Sequence, residues 1–417
     1  MFRITKYGLA VLVVLSIVYT VFKTNQSGSD INLYFKASKQ LIYGENMYYG
    51  KYYNSPFFAM CLYPLNYFKS NTAWVIWGVL NVMLAWSFIR TSSRLLNQYF
   101  TLSHKEYLVV MCASILLILG SINFNLMLGQ VTIFLLWLVI QAIYQFTRGH
   151  EPIGCLLLAL AINIKVFPIL FLFVLLVFRQ IRFVVLSLIF TFIFVLLPSF
   201  FIGWENNVNV HLQWLNAINP FTKTMVVECY YGSISITGWV PLYIHNCSLL
   251  EHYHNSREIN VLNLNGITTM QVLTIVRILG LIVIASMGYM AAKSKPTPIA
   301  ILFILGLVSM AVLVFMPHQH KYSELLVYIP GIYFILMAIQ ASKMGPNYPM
   351  KRLYKYLSYI TVIVLLFITI MGRDIVGDYI SNVLDTWGIL GILNLYLFCA
   401  ICLLNPWICL PKEAIMD

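Results

Sequence analysis

The chain has 417 residues, 60% of them hydrophobic and only 10% charged, with a formal net charge of +12. That balance excludes a soluble globular protein. The basic residues are scattered through short loops, a placement that answers to membrane topology and anionic lipid and argues against a nucleic-acid partner.

Arg3 and Lys6 precede an apolar run from Tyr7 to Phe22. The run looks like a signal peptide, but Thr20-Val21-Phe22-Lys23 is a poor cleavage site, so an uncleaved first span is expected. A polar interval follows, the first outer loop, residues 23–71. Within it, Asp30 is the only aspartate before residue 374. Ile31, Tyr34, Phe35, Ser38, Leu41 and Ile42 recur at helical spacing, Lys36, Lys39, Gln40 and Tyr43 take the other face, and Gly44 supplies the stop. This pattern predicts a short amphipathic helix lying along the membrane surface, with Asp30 at its N-terminus. Asp30 is then either an N-cap or a general base where a lipid head group would lie.

Further apolar runs at 72–89, 107–122, 126–147, 153–178, 183–202, 270–292, 298–316, 325–341, 356–372 and 387–404 are each of spanning length. Arg148 before the run 153–178 and Arg179 and Arg182 after it all favour the cytoplasm. Asn163, Lys165 and Pro168 mark a break, so the run is expected to fold as a hairpin of two half-helices. Counted so, the fold class is an all-α polytopic membrane protein of about 12 membrane-crossing segments. Residues 1–417 form a single integral membrane domain with both termini in the cytoplasm. Of 26 basic residues, 15 fall inside and 9 outside, and five of the nine belong to the first outer loop, a hint that it handles an anion. The other outer polar stretches are the large loop 203–269, the turn from Pro317 to Glu324, and 373–386 with its three aspartates.

Six of the eight cysteines lie in or beside apolar runs; Cys229 and Cys247, in the large outer loop, are the one pair placed for a disulfide, with free thiols as the alternative. No Cys/His spacing matches a zinc site, and Walker A, GxGxxG, GxSxG, HExxH and Asp-x-Asp motifs are absent. No metal ligand set and no cofactor are therefore expected. Lys165, near mid-bilayer at a helix break, reads as functional or as a snorkelling amine. Arg277, about two turns inside its span, has the same two readings. His318 and His320 are either exposed interfacial histidines or part of a site.

Several segments of this chain resemble a known family. They are Ser29-Asp30-Ile31-Asn32-Leu33-Tyr34, Gly44-Glu45-Asn46-Met47-Tyr48, Tyr53-Asn54-Ser55-Pro56-Phe57-Phe58-Ala59, Gly129-Gln130-Val131-Thr132 and Ala161-Ile162-Asn163-Ile164-Lys165-Val166-Phe167-Pro168. Together they resemble the GT-C type glycosyltransferases that use polyprenyl-phosphate sugars, closest to glycosyltransferase family 87, the bacterial α-1,2-mannosyltransferase-like enzymes. Thr132 departs from the pattern, which more often has asparagine there. The likeness covers roughly residues 27–182.

The resemblance implies an inverting, metal-independent transferase in the plasma (inner) membrane with its active site facing outside. Its partners are a polyprenyl-phosphate sugar donor, carrying mannose or arabinose, a glycan or glycolipid acceptor, and membrane lipids. Asp30 maps onto the family's proposed base. Lys165, His318, His320, Lys321 and Arg277 are the expected donor-phosphate partners, and Tyr34, Asn54 and Gln130 the expected sugar or acceptor contacts. A secondary transporter or flippase is the main alternative, since a broken span with a buried lysine suits a carrier too. A polymerase or ligase using diphosphate-linked glycans is another, with more outer arginine expected.

Overall fold

The structure, a computed structural model, describes residues 30–50, 52–219, 221–222, 226–229, 232–245, 247, 259, 261–343 and 351–409. The expected first span, Tyr7–Phe22, lies outside these residues. Among them the regular structure is helical, with two isolated bridges, Ser233 with His320 and His245 with Leu264. The first helices are α1 (Asp30–Ile42), α2 (Pro56–Leu62), α3 (Ser70–Tyr99), α4 (His104–Leu128) and α5 (Thr132–Thr147). Then come α6 (Glu151–Ile164), α7 (Phe171–Val177), α8 (Ile181–Leu196), α9 (Trp204–Ala217) and α10 (Ile236–Ile244). The last are α11 (Gly266–Lys293), α12 (Pro298–Phe315), α13 (Tyr328–Lys343), α14 (Lys351–Ile370), α15 (Arg373–Thr386) and α16 (Ile389–Leu403).

Seven helical stretches among the described residues are long and apolar enough to cross a membrane: 70–99, 104–128, 181–202, 266–293, 298–315, 321–343 and 352–370. A bent pair, 375–386 with 389–403 at 67°, makes an eighth if taken as one span. The chain is a multi-pass helical membrane protein. The expected count of about 12 also included the first span and the shorter apolar helices 132–147, 151–164 and 167–177. Several boundaries differ from expectation; the run expected at 72–89, for one, lies in a helix that continues to Tyr99. The helix expected to stop at 122 continues to Leu128, and the stretch 373–386, expected to be an outer loop, is itself a helix, kinked at Gly377 with φ +80.

The chain divides into two compact units, one of Met1–Leu96, Ile122–Leu172 and Gln180–Ile218, the other of Asn97–Ser121, Phe173–Arg179 and Asn219–Asp417. In the first, α1 buries Ile31, Tyr34, Ala37, Ser38 and Leu41, largely against α2 and the following turn. Ala37 joins the buried set because it lies three residues from Tyr34 and four from Leu41, on the same helix face, while Phe35 stays half-buried. Gly44 ends the helix with φ +73, as expected. Ser55 caps α2 by accepting the Phe58 N–H at 3.2 Å, and Pro56 occupies the first turn, where its missing N–H is harmless.

The expected break is present. α6 ends at Ile164, and Lys165 is extended with φ −145 and ψ 136. Pro168 has no N–H to offer the Ile164 carbonyl four residues back, so helical bonding lapses there. Ser55 takes up the freed carbonyls: its N–H donates to Ile164 O at 3.3 Å and its hydroxyl to Asn163 O. Beyond the break, α6 and α8 run parallel and in register. Arg182 pairs with Glu151 at 3.5 Å, Cys155 Sγ meets Phe183 O at 3.5 Å, and Asn163 Nδ2 donates to Thr191 O at 3.2 Å.

In the second unit, α12 and α13 form the buried centre, with α12 lined by core residues along most of its length. Thr297 caps α12 and Pro298 follows it. Gly306 brings α12 onto the backbone of Pro330, where an added Cβ would lie 3.2 Å from Pro330 Cα. A buried carboxylate, Glu324, accepts from Asn394 Nδ2 at 2.6 Å and ties the turn 321–327 to α16. Cys229 and Cys247 are joined by a disulfide with a Cα–Cα distance of 5.7 Å.

Candidate active site

In the first unit the polar residues of the expected site converge on α1. Among the described residues α1 begins at Asp30, whose carboxylate accepts a hydrogen bond from Gln130 Nε2. Gln130 is turned by Tyr34, whose hydroxyl donates to its Oε1 at 2.9 Å. Tyr34 is wedged edge-on against Tyr52 and Phe58, with centroids 6.2 and 5.6 Å away. The Tyr52 hydroxyl donates to Ser55 O at 3.1 Å, which joins this network to the α6 break. Lys165 lies at that break, within electrostatic reach of Asp30, with its amine 5.8 Å from the Phe167 ring centroid.

Backbone geometry makes this convergence possible. Gly129 has φ +67, and a Cβ there would stand 2.8 Å from Ile31 Cβ. Only glycine permits both the left-handed conformation and the close approach of α1. The Gly129 carbonyl accepts from Trp77 Nε1 at 2.8 Å, which fixes the turn that presents Gln130. Trp74 Nε1 donates to Asn32 Oδ1 at 3.1 Å and holds the first turn of α1 from α3. Asn54 is buried, and its carbonyl accepts from the Tyr48 hydroxyl at 3.4 Å.

Burial pushes the Asp30 pKa above its ordinary 3.8, while the Gln130 hydrogen bond and the Lys165 charge pull the other way. A half-buried carboxylate with one fixed donor and an adjacent cation can accept a proton from a hydroxyl placed against it. Its raised pKa makes it a stronger base than an aspartate in water.

In the second unit, His318 and Arg277 fall beside a residue that sequence reasoning passed over, Glu228, while His320 and Lys321 have other partners. Its side chain is 4% exposed. Oε1 accepts from the His318 backbone N–H at 2.7 Å and from Thr237 Oγ1 at 2.7 Å, and Oε2 lies 3.5 Å from His318 Nδ1. Burial pushes the Glu228 pKa up, but the hydrogen bonds and charge of His318, with the Thr237 hydroxyl, outweigh it and hold the group below the usual glutamate value. Arg277 donates Nε to Phe315 O at 3.1 Å and feels the Glu228 charge. His320 Nδ1 is 3.1 Å from Gly232 O. Lys321 is already engaged, with Asp385 Oδ2 at 2.8 Å and Ser381 Oγ at 3.0 Å. Glu228 could have been noticed only as a charge beside Cys229 in a loop with few charges; nothing local marks it as buried.

Asp30, Tyr34, Gln130, Asn54 and Lys165 thus share the first unit, and Arg277, His318, His320 and Lys321 the second. A family model described as glycosyltransferase family 87 matches residues 52–317, well over half of the chain. The match includes Asn54, Gln130, Lys165, Glu228 and Arg277, while Asp30 lies before it and His318 immediately after. No curated protein matches the chain.

Proposed function

Because the chain belongs to glycosyltransferase family 87, a GT-C type family of membrane glycosyltransferases, we propose that it transfers a sugar, mannose or arabinose, from a polyprenyl-phosphate donor. The acceptor is a glycan or glycolipid at the outer face of the plasma membrane. In this reading the chain is one integral membrane domain with outer loops at 23–71 and 203–269, the first of which carries Asp30. The observation that carries the proposal is the Asp30 carboxylate, held by Gln130 and Tyr34 beside Lys165.

The acceptor hydroxyl attacks the anomeric carbon, and its proton passes to Asp30. The bond from that carbon to the phosphate oxygen breaks, and polyprenyl phosphate departs from the opposite face with the electron pair. One displacement inverts the anomeric centre. The leaving group carries a single phosphate whose charge a nearby cation would offset; Lys165 in the first unit, and Arg277, His318, His320 and Lys321 in the second, are each proposed for that role, and Lys321 is also held by Asp385. Tyr34, Asn54 and Gln130 are proposed to meet the sugar or the acceptor, Gln130 chiefly by orienting Asp30.

The test is to incubate purified, reconstituted protein with polyprenyl-phosphate mannose or arabinose and candidate acceptors. Formation of an inverted glycoside with release of polyprenyl phosphate is expected. Movement of the intact donor across the vesicle membrane, with no glycosidic product from either sugar, would instead support the transporter reading.

A further inference from the structure

His318 adopts a left-handed backbone conformation with φ +54, uncommon for a residue with a side chain, and it does so at the turn leaving the buried helix α12. A residue held in a sparsely populated region persists only where its surroundings over-determine it. Here they do. Glu228 accepts the His318 backbone N–H and faces its imidazole, and the Tyr322 hydroxyl donates to the His318 carbonyl at 3.2 Å. The neighbouring backbone joins in: Ile234 N donates to Gln319 O at 2.8 Å, and Ser233 bridges His320. Residues 228–229 and 232–237 therefore line the turn 317–320. Its position is set by the Cys229–Cys247 disulfide, one residue from Glu228.

We propose that Glu228 is a positioning residue for donor binding, acting through His318 to hold the turn 317–320 in the shape that receives the donor phosphate. This rests on the reading of that turn as part of the phosphate site. Two features separate the role from simple structural support. First, both hydrogen bonds that Glu228 accepts end on Oε1, a task a neutral amide oxygen would also perform. Second, the remaining oxygen faces His318 Nδ1 at 3.5 Å, so the negative charge is spent on orienting the one ring of the turn that stands in a strained conformation. Side-chain exposure at that point is 28% for His318 against 4% for Glu228. The buried carboxylate thus cannot meet a ligand itself and acts only through the turn it holds, where the His318 ring keeps an exposed carbon edge while its Nε2 is buried.

The experiment is a double-mutant cycle on the full-length, reconstituted protein, with polyprenyl-phosphate mannose as donor, or the arabinose donor if that is the sugar transferred. Glu228→Gln keeps the Oε1 acceptor and removes the charge. It should raise the donor KM about tenfold, leave kcat within about threefold, and leave the thermal midpoint unchanged. His318→Ala should raise the donor KM at least as much. The double variant should match His318→Ala alone, because a residue acting through His318 has nothing left to act on. Thr237→Val, which removes one tether of Glu228, should raise KM about threefold, and only when His318 is present. It carries the test if Glu228→Gln fails to fold. Effects that multiply in the double variant, or a donor KM unchanged in Glu228→Gln, overturn the inference and leave the transferase reading intact. A donor KM unchanged in His318→Ala removes the turn from the phosphate site and this inference with it. Loss of transfer in Asp30→Asn would still support the proposed base.

Discussion

Arg182 stands 3.5 Å from Glu151, and the two residues lie at the starts of α8 and α6. Two helices that begin side by side and stay in register through Asn163 and Thr191 must run the same way. α6 carries the chain about 20 Å, at 1.5 Å per residue, so the segment Lys165 to Gln180 has to bring it back. An out-and-back path is also what a hairpin over 153–178 would require. Cysteines placed at Arg148 and Arg182 should both react with an impermeant thiol reagent from the cytoplasmic side. Reaction from opposite sides would reverse the assigned orientation of every later loop.

Asp30→Asn should lower turnover about 10²–10⁴-fold, the usual contribution of a positioned general base. Stability should move the other way. The folded-state pKa of Asp30 is raised, so its contribution is fully present below about pH 3.8, the unfolded value, and is lost as pH rises through the folded value. At neutral pH the ionised carboxylate is therefore a net burden on the fold. Asparagine serves the start of a helix about as well, and the thermal midpoint should hold or rise. Turnover above a tenth of wild type, or a lower midpoint, would contradict the assignment.

Much of this site is legible in sequence because its signals are local. The spacing Ile31, Tyr34, Ser38, Leu41 forecasts the buried face of α1, Gly44 its end, and Pro168 the break after Ile164. What joins these pieces is not local. Gln130 reaches Asp30 across 100 residues and Ser55 reaches Asn163 across 108, and no periodicity encodes either pairing. Glu228 is the clearest miss, because its burial depends on His318, 90 residues away. The helix at 373–386 was missed because its charges suggest a solvated loop, whereas Asp385 is drawn in by Lys321.

The acid limb of kcat/KM reports the ionisation of the base in the free enzyme. For this chain it should lie above the ordinary aspartate value of 3.8, because burial dominates at Asp30. Gln130→Ala and Lys165→Met each remove an influence that lowers this pKa, so each should shift the limb to higher pH. Lys165→Met should also lower turnover about a hundredfold, the loss expected for one preorganised charge partner. An acid limb that stays fixed in both variants would mean that a group other than Asp30 takes the proton.

The Cys229–Cys247 disulfide closes a loop with a sequence separation of 18. On the chain-entropy model such a link stabilises by about 3 kcal/mol. Replacing both cysteines with serine should lower the thermal midpoint and raise the donor KM, since Glu228 adjoins the link. Mass mapping of unreduced protein should recover the two cysteines in one linked peptide; free thiols at both positions would remove the expectation.

Gly129 offers the sharpest link between backbone and chemistry. An alanine there meets two obstacles at once. Its φ of +67 is a left-handed conformation that disfavours a side chain by about 1–2 kcal/mol. Its Cβ would also stand 2.8 Å from Ile31 Cβ, an overlap that only a shift of α1 or of the 129–130 turn can relieve. Overpacking of this kind destabilises by about 1–3 kcal/mol. Either shift separates Gln130 from Asp30, because one residue follows Gly129 and the other precedes Ile31. Gly129→Ala should therefore lower both the thermal midpoint and kcat. Its acid limb should move to higher pH, as in Gln130→Ala, since Asp30 loses the same hydrogen bond. A variant that is destabilised but retains wild-type kcat and acid limb would show that the Gln130–Asp30 contact is not what the Gly129 turn is built to hold.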